Sequence, residues 1–163
     1  MNNTLPTLLI AEDDDNDFLF FERALIAEKL QAQIRRACDG EEAIEYLRGD
    51  NHFANRDEHP VPKMMVLDLK MPRKSGFEVL AWLRERPDFC DLPVIVFSSS
   101  EEHTDVEKAY KLGASAYLVK PSSYTSYSEV VETLKQFLSD GCNQAAADRS
   151  VRTYHKSANW KCV

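Results

Sequence analysis

Four consecutive apolar residues, Met64 to Leu67, end abruptly at the carboxylate of Asp68. An uninterrupted apolar run of this length is typical of a strand that is buried on both faces of a parallel sheet. Pro72 excludes a helix directly after the run, and Ser75 with Glu78 has the pattern of a capping box that opens one. Asp68 is therefore predicted at the carboxyl end of a strand, where open α/β sheets bind their ligands.

Further apolar runs along the chain repeat this pattern, and a helical period follows each of them. The predicted strands cover residues 8–11, 32–37, 64–67, 93–97 and 116–119. The predicted helices cover residues 16–29, 41–48, 76–86 and 104–112, and a last helix follows a second capping box at Ser126–Glu129. Strands that alternate with helices predict an α/β fold, and we expect a doubly wound five-stranded parallel sheet of order 2-1-3-4-5, with flavodoxin-like topology.

The chain of 163 residues is long enough for one domain with a substantial core. The apolar period is lost from Asp140 onward, so we expect a domain at residues 1–139 and a poorly ordered tail at 140–163. An arm that packs on a partner is the alternative for this tail. Residues 49–62 are polar and include two prolines, which predicts a long surface loop.

Charge and hydropathy exclude several classes of function. The net charge of −7 repels phosphate backbones, so nucleic-acid binding is not expected. No apolar run approaches the ~20 residues of a membrane helix, and the first residues lack the pattern of a signal peptide, so we expect a cytoplasmic protein. The cysteines are scattered without a metal-ligand spacing and are interpreted as reduced thiols: Cys38, Cys90, Cys142 and Cys162.

Polar side chains follow four of the predicted strands at the same edge of the sheet: Glu12 and Asp13, Asp68, Ser98 and Lys120. Three carboxylates that converge there repel one another unless a cation neutralises them. Oxygen ligands of this kind suit a hard divalent ion, of which Mg²⁺ is the most plausible. A hydroxyl and an ammonium are groups that hold phosphoryl oxygens. The set predicts that Asp68 is a nucleophile that forms an acyl phosphate.

As a set, these motifs resemble the receiver domains of two-component response regulators, over residues 5–139. Ser98 follows Asp68 by 30 residues and Lys120 follows Ser98 by 22, and both intervals are similar to those of the family. The matching pieces are LIAEDD at 9–14, VLDLKMP at 66–72 with Gly76, PVIVFSS at 93–99, and Gly113-Ala114 with YLVKP at 117–121.

The resemblance implies a role for each residue of the set. Asp68 is expected to be the phosphoacceptor, and Ser98 and Lys120 are expected to bind the phosphoryl group. Direct Mg²⁺ ligands are expected from Asp13, Asp68 and the backbone carbonyl of Lys70, whereas Glu12 is expected to act through a water molecule.

The family also implies a switch and a surface for partners. Tyr117 resembles the aromatic residue that turns inward when the serine moves toward the phosphoryl group, with an ordinary half-buried strand tyrosine as the alternative. The bond between Lys120 and Pro121 is expected to be cis. Phe20, together with the loop at Pro121, is expected to dock the phosphoryl donor.

Two positions of the family influence how readily water hydrolyses the acyl phosphate. They are occupied here by Lys70, two residues past Asp68, and by Ser100, two residues past Ser98. The positive charge of Lys70 predicts an altered hydrolysis rate.

The 49–62 loop is longer than in the simplest receivers, which resembles single-domain regulators that partner phytochrome-like and hybrid kinases. The resemblance therefore implies a stand-alone response regulator that takes a phosphoryl group from a histidine kinase or a histidine phosphotransfer protein. It would promote its own phosphorylation and dephosphorylation rather than turn over a substrate. Its output would be binding to a downstream protein of unknown identity, or onward phosphotransfer. The oligomeric state stays open, with a homodimer as one alternative.

Two other functions stay open at this point. A phosphatase with an aspartate nucleophile could use Asp13 and Asp15 as its pair of acids, and it would be recognised by turnover of a phosphomonoester. A binding module without phosphotransfer, either a flavin protein or an inactive receiver, would be recognised by a flavin spectrum or by the lack of labelling.

Overall fold

The computed structural model describes residues 4–123, 127–139 and 153–154. The strands are β1 (Thr7–Ala11), β2 (Gln33–Ala37), β3 (Met64–Leu67), β4 (Val94–Ser98), β5 (Ala116–Val119) and the short β6 (Thr153–Tyr154). The α-helices are α1 (Asp15–Ala27), α2 (Gly40–Arg48), α3 (Gly76–Arg84), α4 (His103–Lys111) and α5 (Tyr127–Ser139). Short 3-10 helices cover Asn51–Phe53 and Pro87–Phe89.

All strands pair in parallel in the order β2-β1-β3-β4-β5-β6. The predicted order 2-1-3-4-5 is confirmed. The register aligns Ala11 with Leu67 and Leu67 with Val96, so the residues that follow β1, β3 and β4 leave the sheet at one edge. β6 adds two residues beside β5 and belongs to the predicted tail. The other tail residues lie outside the described ranges, and the predicted domain boundary stays a prediction.

The sheet buries both of its faces, as the apolar runs predict. Leu9, Met65 and Val96 pack with α2, α3 and α4, while Leu8 and Val66 pack with α1 and α5 on the other face. These side chains are at most 2% exposed. Burial of one such side chain contributes about 1.5–3 kcal/mol to the stability of the fold. Helices cover both faces of the sheet, which explains why strands and helices alternate along the sequence.

The helix boundaries follow from their capping groups. Asp14 caps α1 by accepting the backbone N–H groups of Asn16 and Asp17 at 2.8 and 2.9 Å, so α1 starts one residue before its predicted start. The predicted capping box of α3 is confirmed, because Ser75 and Glu78 accept each other's backbone N–H groups. The second predicted capping box includes Ser126, which lies outside the described residues.

The 49–62 loop is held against the carboxyl end of α2. Arg56 donates to the carbonyl oxygens of Tyr46, Leu47 and His59 at 2.9, 2.8 and 3.1 Å. The Tyr46 hydroxyl donates to the Pro60 carbonyl at 3.0 Å, and the ring of Phe53 packs against Tyr46 with 5.0 Å between centroids. The loop therefore has a packed structure of its own, which its polar sequence did not predict.

The loop between β3 and α3 packs against the start of α2. Asp39 caps α2 by accepting the Glu42 N–H at 2.9 Å, and its other carboxylate oxygen accepts from Arg73 Nε at 2.8 Å. Gly40 allows this approach, because a Cβ atom there would overlap the Lys74 carbonyl oxygen. Gly76 lies equally close to the Asp68 backbone, so the loop that follows Asp68 is fixed at both ends.

Within the described part of the chain, every helix is too short or too polar to cross a bilayer.

Candidate functional site

The structure brings three of the predicted site residues into direct contact. The Lys120 ammonium lies 2.7 Å from a carboxylate oxygen of Glu12 and 3.3 Å from one of Asp68. Asp13 joins them, because the ligand oxygens of Glu12, Asp13 and Asp68 all lie within 4.8 Å of one another. Glu12 and Asp68 are buried, whereas Asp13 is exposed. This arrangement places an opening to solvent beside buried charges.

Backbone hydrogen bonds fix these side chains at the strand ends. The Asp68 N–H donates to the Ala11 carbonyl at 3.0 Å, and the Leu69 N–H donates to the Asp68 carboxylate at 2.7 Å. Arg36 supports the neighbouring loop by donating to the carbonyl oxygens of Glu12 and Asp13 at 3.0 and 3.3 Å. The site is therefore built on the sheet edge, as its position after β1, β3 and β5 predicts.

Burial sets the charge balance of the site. It raises the pKa of Glu12 to about 7, although the Lys120 ammonium beside it acts in the opposite direction. Burial also raises the pKa of Asp68, again against the effect of Lys120. For Lys120 itself, burial disfavours the charged form, but the carboxylates of Asp17, Glu12 and Asp68 outweigh burial and raise the pKa of the ammonium. Lys120 is thus charged, while the carboxylates have more negative charge than it can neutralise.

The donor atoms of this site fit a hard divalent cation. Three carboxylates converge, two of them are buried, and burial without a cation makes their ionised forms costly. Lys70 is exposed in the loop after Asp68, and the N–H groups of Leu69 and Lys70 hydrogen-bond the Asp68 carboxylate. The backbone of Lys70 therefore lies beside the carboxylates, as its predicted part in the metal site requires.

Ser98, the last residue of β4, and Tyr117, the second residue of β5, are both completely buried. The Ser98 hydroxyl oxygen accepts the Ser100 N–H at 3.2 Å, and the Tyr117 hydroxyl donates to the Ser100 carbonyl at 2.9 Å. Tyr117 thus occupies the inward position that the family resemblance assigns to a switch residue, and it is not half-buried. The roles of both residues in switching stay predictions.

Ser100 connects this region to α4. Its hydroxyl donates to the Asp105 carboxylate at 2.6 Å and accepts the Glu102 N–H at 3.4 Å. These contacts give the Ser100 side chain a structural partner at the start of the helix. Its influence on hydrolysis stays a prediction.

The predicted docking residues lie on the surface, but one expectation about them is wrong. Phe20 is 48% exposed on α1, and Pro121 is partly exposed after β5. The bond between Lys120 and Pro121 is trans, not cis as expected, since the structure has no cis bond in its described residues. The trans form is the intrinsically more stable one for an X–Pro bond, by about 0.5–1 kcal/mol.

Asp17 is a site residue that the sequence analysis missed. Its carboxylate lies 2.8 Å from the Lys120 ammonium, closer than that of Asp68. Its place in the first turn of α1, the helix that begins shortly after Glu12 and Asp13, is the signal that could have found it. Asp15, the second acid of the phosphatase alternative, pairs instead with Arg36 at 2.7 Å, and its side chain is 89% exposed.

Comparisons with known proteins identify the family. Residues 8–149 match the response regulator receiver domain. Response regulator Rcp1 of Synechocystis is 28% identical over 136 residues, which cover 83% of this chain and 90% of Rcp1. A crystal structure of Rcp1 is an Mn²⁺-bound form, which has 27% identity and a TM-score of 0.71 and covers 82% of this chain and 94% of that one.

Two further solved structures are similar over most of their length. Response regulator RPA3017, from red light signaling of R. palustris, has 39% identity and a TM-score of 0.77 over 82% of this chain and 93% of its own. The phosphorylated cyanobacterial phytochrome response regulator RcpA has 29% identity and a TM-score of 0.76 over 85% and 97%. The predicted similarity to phytochrome-associated regulators is confirmed. The chain belongs to the response regulator receiver domain family and is a response regulator of two-component signalling.

Proposed function

We propose that this response regulator accepts a phosphoryl group on Asp68 from the phosphohistidine of a histidine kinase or a histidine phosphotransfer protein, in the cytoplasm. The observation that carries the proposal is the convergence of Asp68, Lys120, Glu12 and Asp13 at one edge of the sheet. The carboxylate of Asp68 is buried yet lies beside exposed Asp13, so a small group can reach it from solvent.

The transfer exchanges one bond to phosphorus for another. The Asp68 carboxylate forms a bond to phosphorus, and the bond between phosphorus and the donor imidazole nitrogen breaks. The imidazole keeps the bonding electron pair and takes a proton from solvent. Lys120 stabilises the negative charge on the phosphoryl oxygens. Ser98 would donate its hydroxyl to the same oxygens, exchanging its contact with Ser100 for one with the phosphoryl group.

Glu12, Asp13 and Asp68, with the backbone carbonyl of Lys70, would hold the divalent ion, which we propose to be Mg²⁺. When bound, such an ion neutralises charge on the transferring phosphoryl group. The relative Rcp1 has an Mn²⁺-bound form, which supports a divalent ion as a ligand of this chain. Without it, the excess negative charge of the carboxylates would repel an incoming phosphoryl group.

The similar phytochrome and red-light regulators suggest a sensor kinase of that class as the donor. Phe20 and Pro121, which are both accessible, would form part of the docking surface for the donor. Phosphorylation would then draw Ser98 toward the phosphoryl group and hold Tyr117 in its inward position, and so change the surface that a downstream protein binds.

The proposal is tested by labelling with acetyl phosphate in the presence of Mg²⁺, detected by mobility on a phosphate-affinity gel. Wild-type protein is expected to be labelled, and Asp68→Asn is expected to lose all labelling. Asp57→Asn removes a carboxylate from the exposed 49–62 loop and is expected to behave as wild type. Labelling of Asp68→Asn at the wild-type rate would disprove the assignment.

Lys70 gives a second test of the same site. Its side chain is exposed two residues after Asp68, so its charge lies near the acyl phosphate. We expect Lys70→Asn to change the lifetime of the phosphorylated protein, measured as loss of label after removal of the donor. An unchanged lifetime would exclude Lys70 from hydrolysis control.

A further inference from the structure

The Lys120 ammonium has three carboxylate partners, and they do not belong to one functional group. Glu12 and Asp68 lie 2.7 and 3.3 Å away and belong to the proposed metal site. Asp17 lies 2.8 Å away, comes from the first turn of α1, and is outside that group of metal ligands. An ammonium has three N–H donors, so these carboxylates are enough to occupy all of them.

If the proposed function holds, the three contacts change differently when a divalent ion binds and when Asp68 is phosphorylated. A divalent ion neutralises the charge of Glu12 and Asp68, and phosphorylation converts one Asp68 oxygen into the bridging oxygen of a mixed anhydride, which removes the charge of that carboxylate. Asp17 lies outside this group of ligands, so neither event acts on it directly. It is therefore the carboxylate that still attracts Lys120 when the phosphoryl oxygens require it.

We propose that Asp17 is a positioning residue that competes with the phosphoryl oxygens on Asp68 for the Lys120 ammonium. The geometry suits this role, because the Lys120 side chain is only 11% exposed, so little water competes with Asp17 for its ammonium. The Asp17 side chain is 43% exposed, so water can solvate it when the ammonium leaves. The contact thus opposes stable phosphorylation and shortens the lifetime of the phosphorylated state.

Beryllofluoride, a phosphoryl mimic, tests this with Mg²⁺ present, because a small ligand does not depend on the donor surface of α1. Asp17→Asn keeps the shape of the side chain and removes its charge. We expect this variant to bind beryllofluoride about fivefold more tightly, which is the upper range for a partly exposed ion pair. We also expect it to lose an acetyl-phosphate label more slowly by a similar factor. Asp17→Glu restores the charge and is expected to return both values toward wild type.

Asp15→Asn is the matched control, because it removes the same charge from the same turn of α1. Asp15 contacts Nη1 of Arg36, whereas Arg36 supports the Glu12 and Asp13 carbonyls through Nε and Nη2. The control should therefore leave the site intact. The ¹⁵N resonance of the Lys120 ammonium provides a direct readout, and it should shift in Asp17→Asn but not in Asp15→Asn.

The outcomes separate this inference from the proposed function. If wild-type protein fails to bind beryllofluoride or to accept label on Asp68, the proposed function is wrong. If wild type binds but Asp17→Asn matches Asp15→Asn, Asp17 does not compete for Lys120. Weaker binding by Asp17→Asn would also overturn the inference, because Asp17 would then hold Lys120 in its productive position.

Discussion

Two regions of this protein each place one cation among three oxygen-bearing partners, with opposite results. In the 49–62 loop, Arg56 donates to the backbone carbonyls of Tyr46 and Leu47 at the carboxyl end of α2 and to that of His59 in the loop itself. At the sheet edge, Lys120 faces the carboxylates of Glu12, Asp17 and Asp68. The carbonyls carry only partial charges, so no excess of negative charge surrounds Arg56. The carboxylates carry full charges, so the edge keeps an excess of negative charge.

The difference shows which region serves the fold and which serves the chemistry. A cation at the carboxyl end of a helix is favourable, because the helix dipole places negative potential there. Clustered buried carboxylates lower the free energy of unfolding, and a fold retains them when they bind a ligand whose binding offsets this loss. We therefore expect changes in the loop to lower stability with no loss of phosphorylation, and changes at the edge to do the reverse.

The largest effect on stability is expected from Arg56→Met. This change keeps much of the side-chain bulk but removes the donors to the carbonyls of Tyr46, Leu47 and His59. At about 1 kcal/mol for each hydrogen bond, the free energy of unfolding should fall by about 2–3 kcal/mol. Urea denaturation measures this value, and labelling by acetyl phosphate should keep its wild-type rate.

Arg35→Met is the control for the loop, because Arg35 donates to the Glu58 carbonyl of the loop at 3.1 Å, whereas Arg56 donates to three carbonyls. Arg35→Met should lower the free energy of unfolding clearly less than Arg56→Met does. Equal losses from the two variants, or a loss of labelling in Arg56→Met, would contradict the division between the loop and the edge.

The second prediction is a gain in the free energy of unfolding instead of a loss. In metal-free protein, Glu12→Gln should raise the free energy of unfolding at pH 8 by about 1–2 kcal/mol, after allowance for the weakened contact with Lys120. The reason is that burial raises the pKa of Glu12 to about 7, so its ionised form destabilises the folded state. The same variant should bind Mg²⁺ more weakly, as measured by calorimetry.

A gain in stability together with weaker metal binding would support the interpretation that the carboxylates at the sheet edge bind a metal ion at the expense of stability. Glu12→Gln protein that is less stable than wild type in the absence of metal would show that Glu12 stabilises the fold instead.

The smallest effect is expected from Asp39→Asn, and it depends on pH. Burial opposes ionisation of Asp39, but the Glu42 N–H and the Arg73 guanidinium prevail and hold the pKa of this carboxyl below its ordinary value. Because the pKa of Asp39 is lower in the folded state than in the unfolded state, its ionisation stabilises the fold. This stabilisation is present above the pKa of the unfolded state, about 3.9, and is lost as the pH falls through the pKa of the folded state.

Asparagine still caps α2 but lacks this charge, so wild type should exceed Asp39→Asn in stability at pH 7, with the difference shrinking below about pH 4. Thermal denaturation at a series of pH values measures the difference. A difference that stays constant down to pH 2 would mean that the Asp39 charge is not its source.

The sequence predicted those features that depend on topology alone. Asp68 and Lys120 follow strands whose order and direction are readable from apolar runs, so their meeting at one edge follows from the fold. The contact between Asp17 and Lys120 joins residues 103 positions apart and depends on how α1 sits against β5, which no local pattern encodes. The Arg56 contacts depend likewise on the path of a loop without periodicity. The trans bond at Pro121 reflects a small energy difference that the sequence does not reveal.

The close approach of the β3–α3 loop has a consequence for mutational surveys. A Cβ atom at Gly40 or Gly76 would overlap the backbone of Lys74 or of Asp68 itself, and neither backbone can move without displacing the acceptor loop. A genetic selection for signalling would therefore reject substitutions at these glycines as strictly as substitutions at Asp68. Intolerance at Gly40 and Gly76 would then identify residues that hold the acceptor loop in place. Chemical labelling would be needed to distinguish these residues from the residue that reacts.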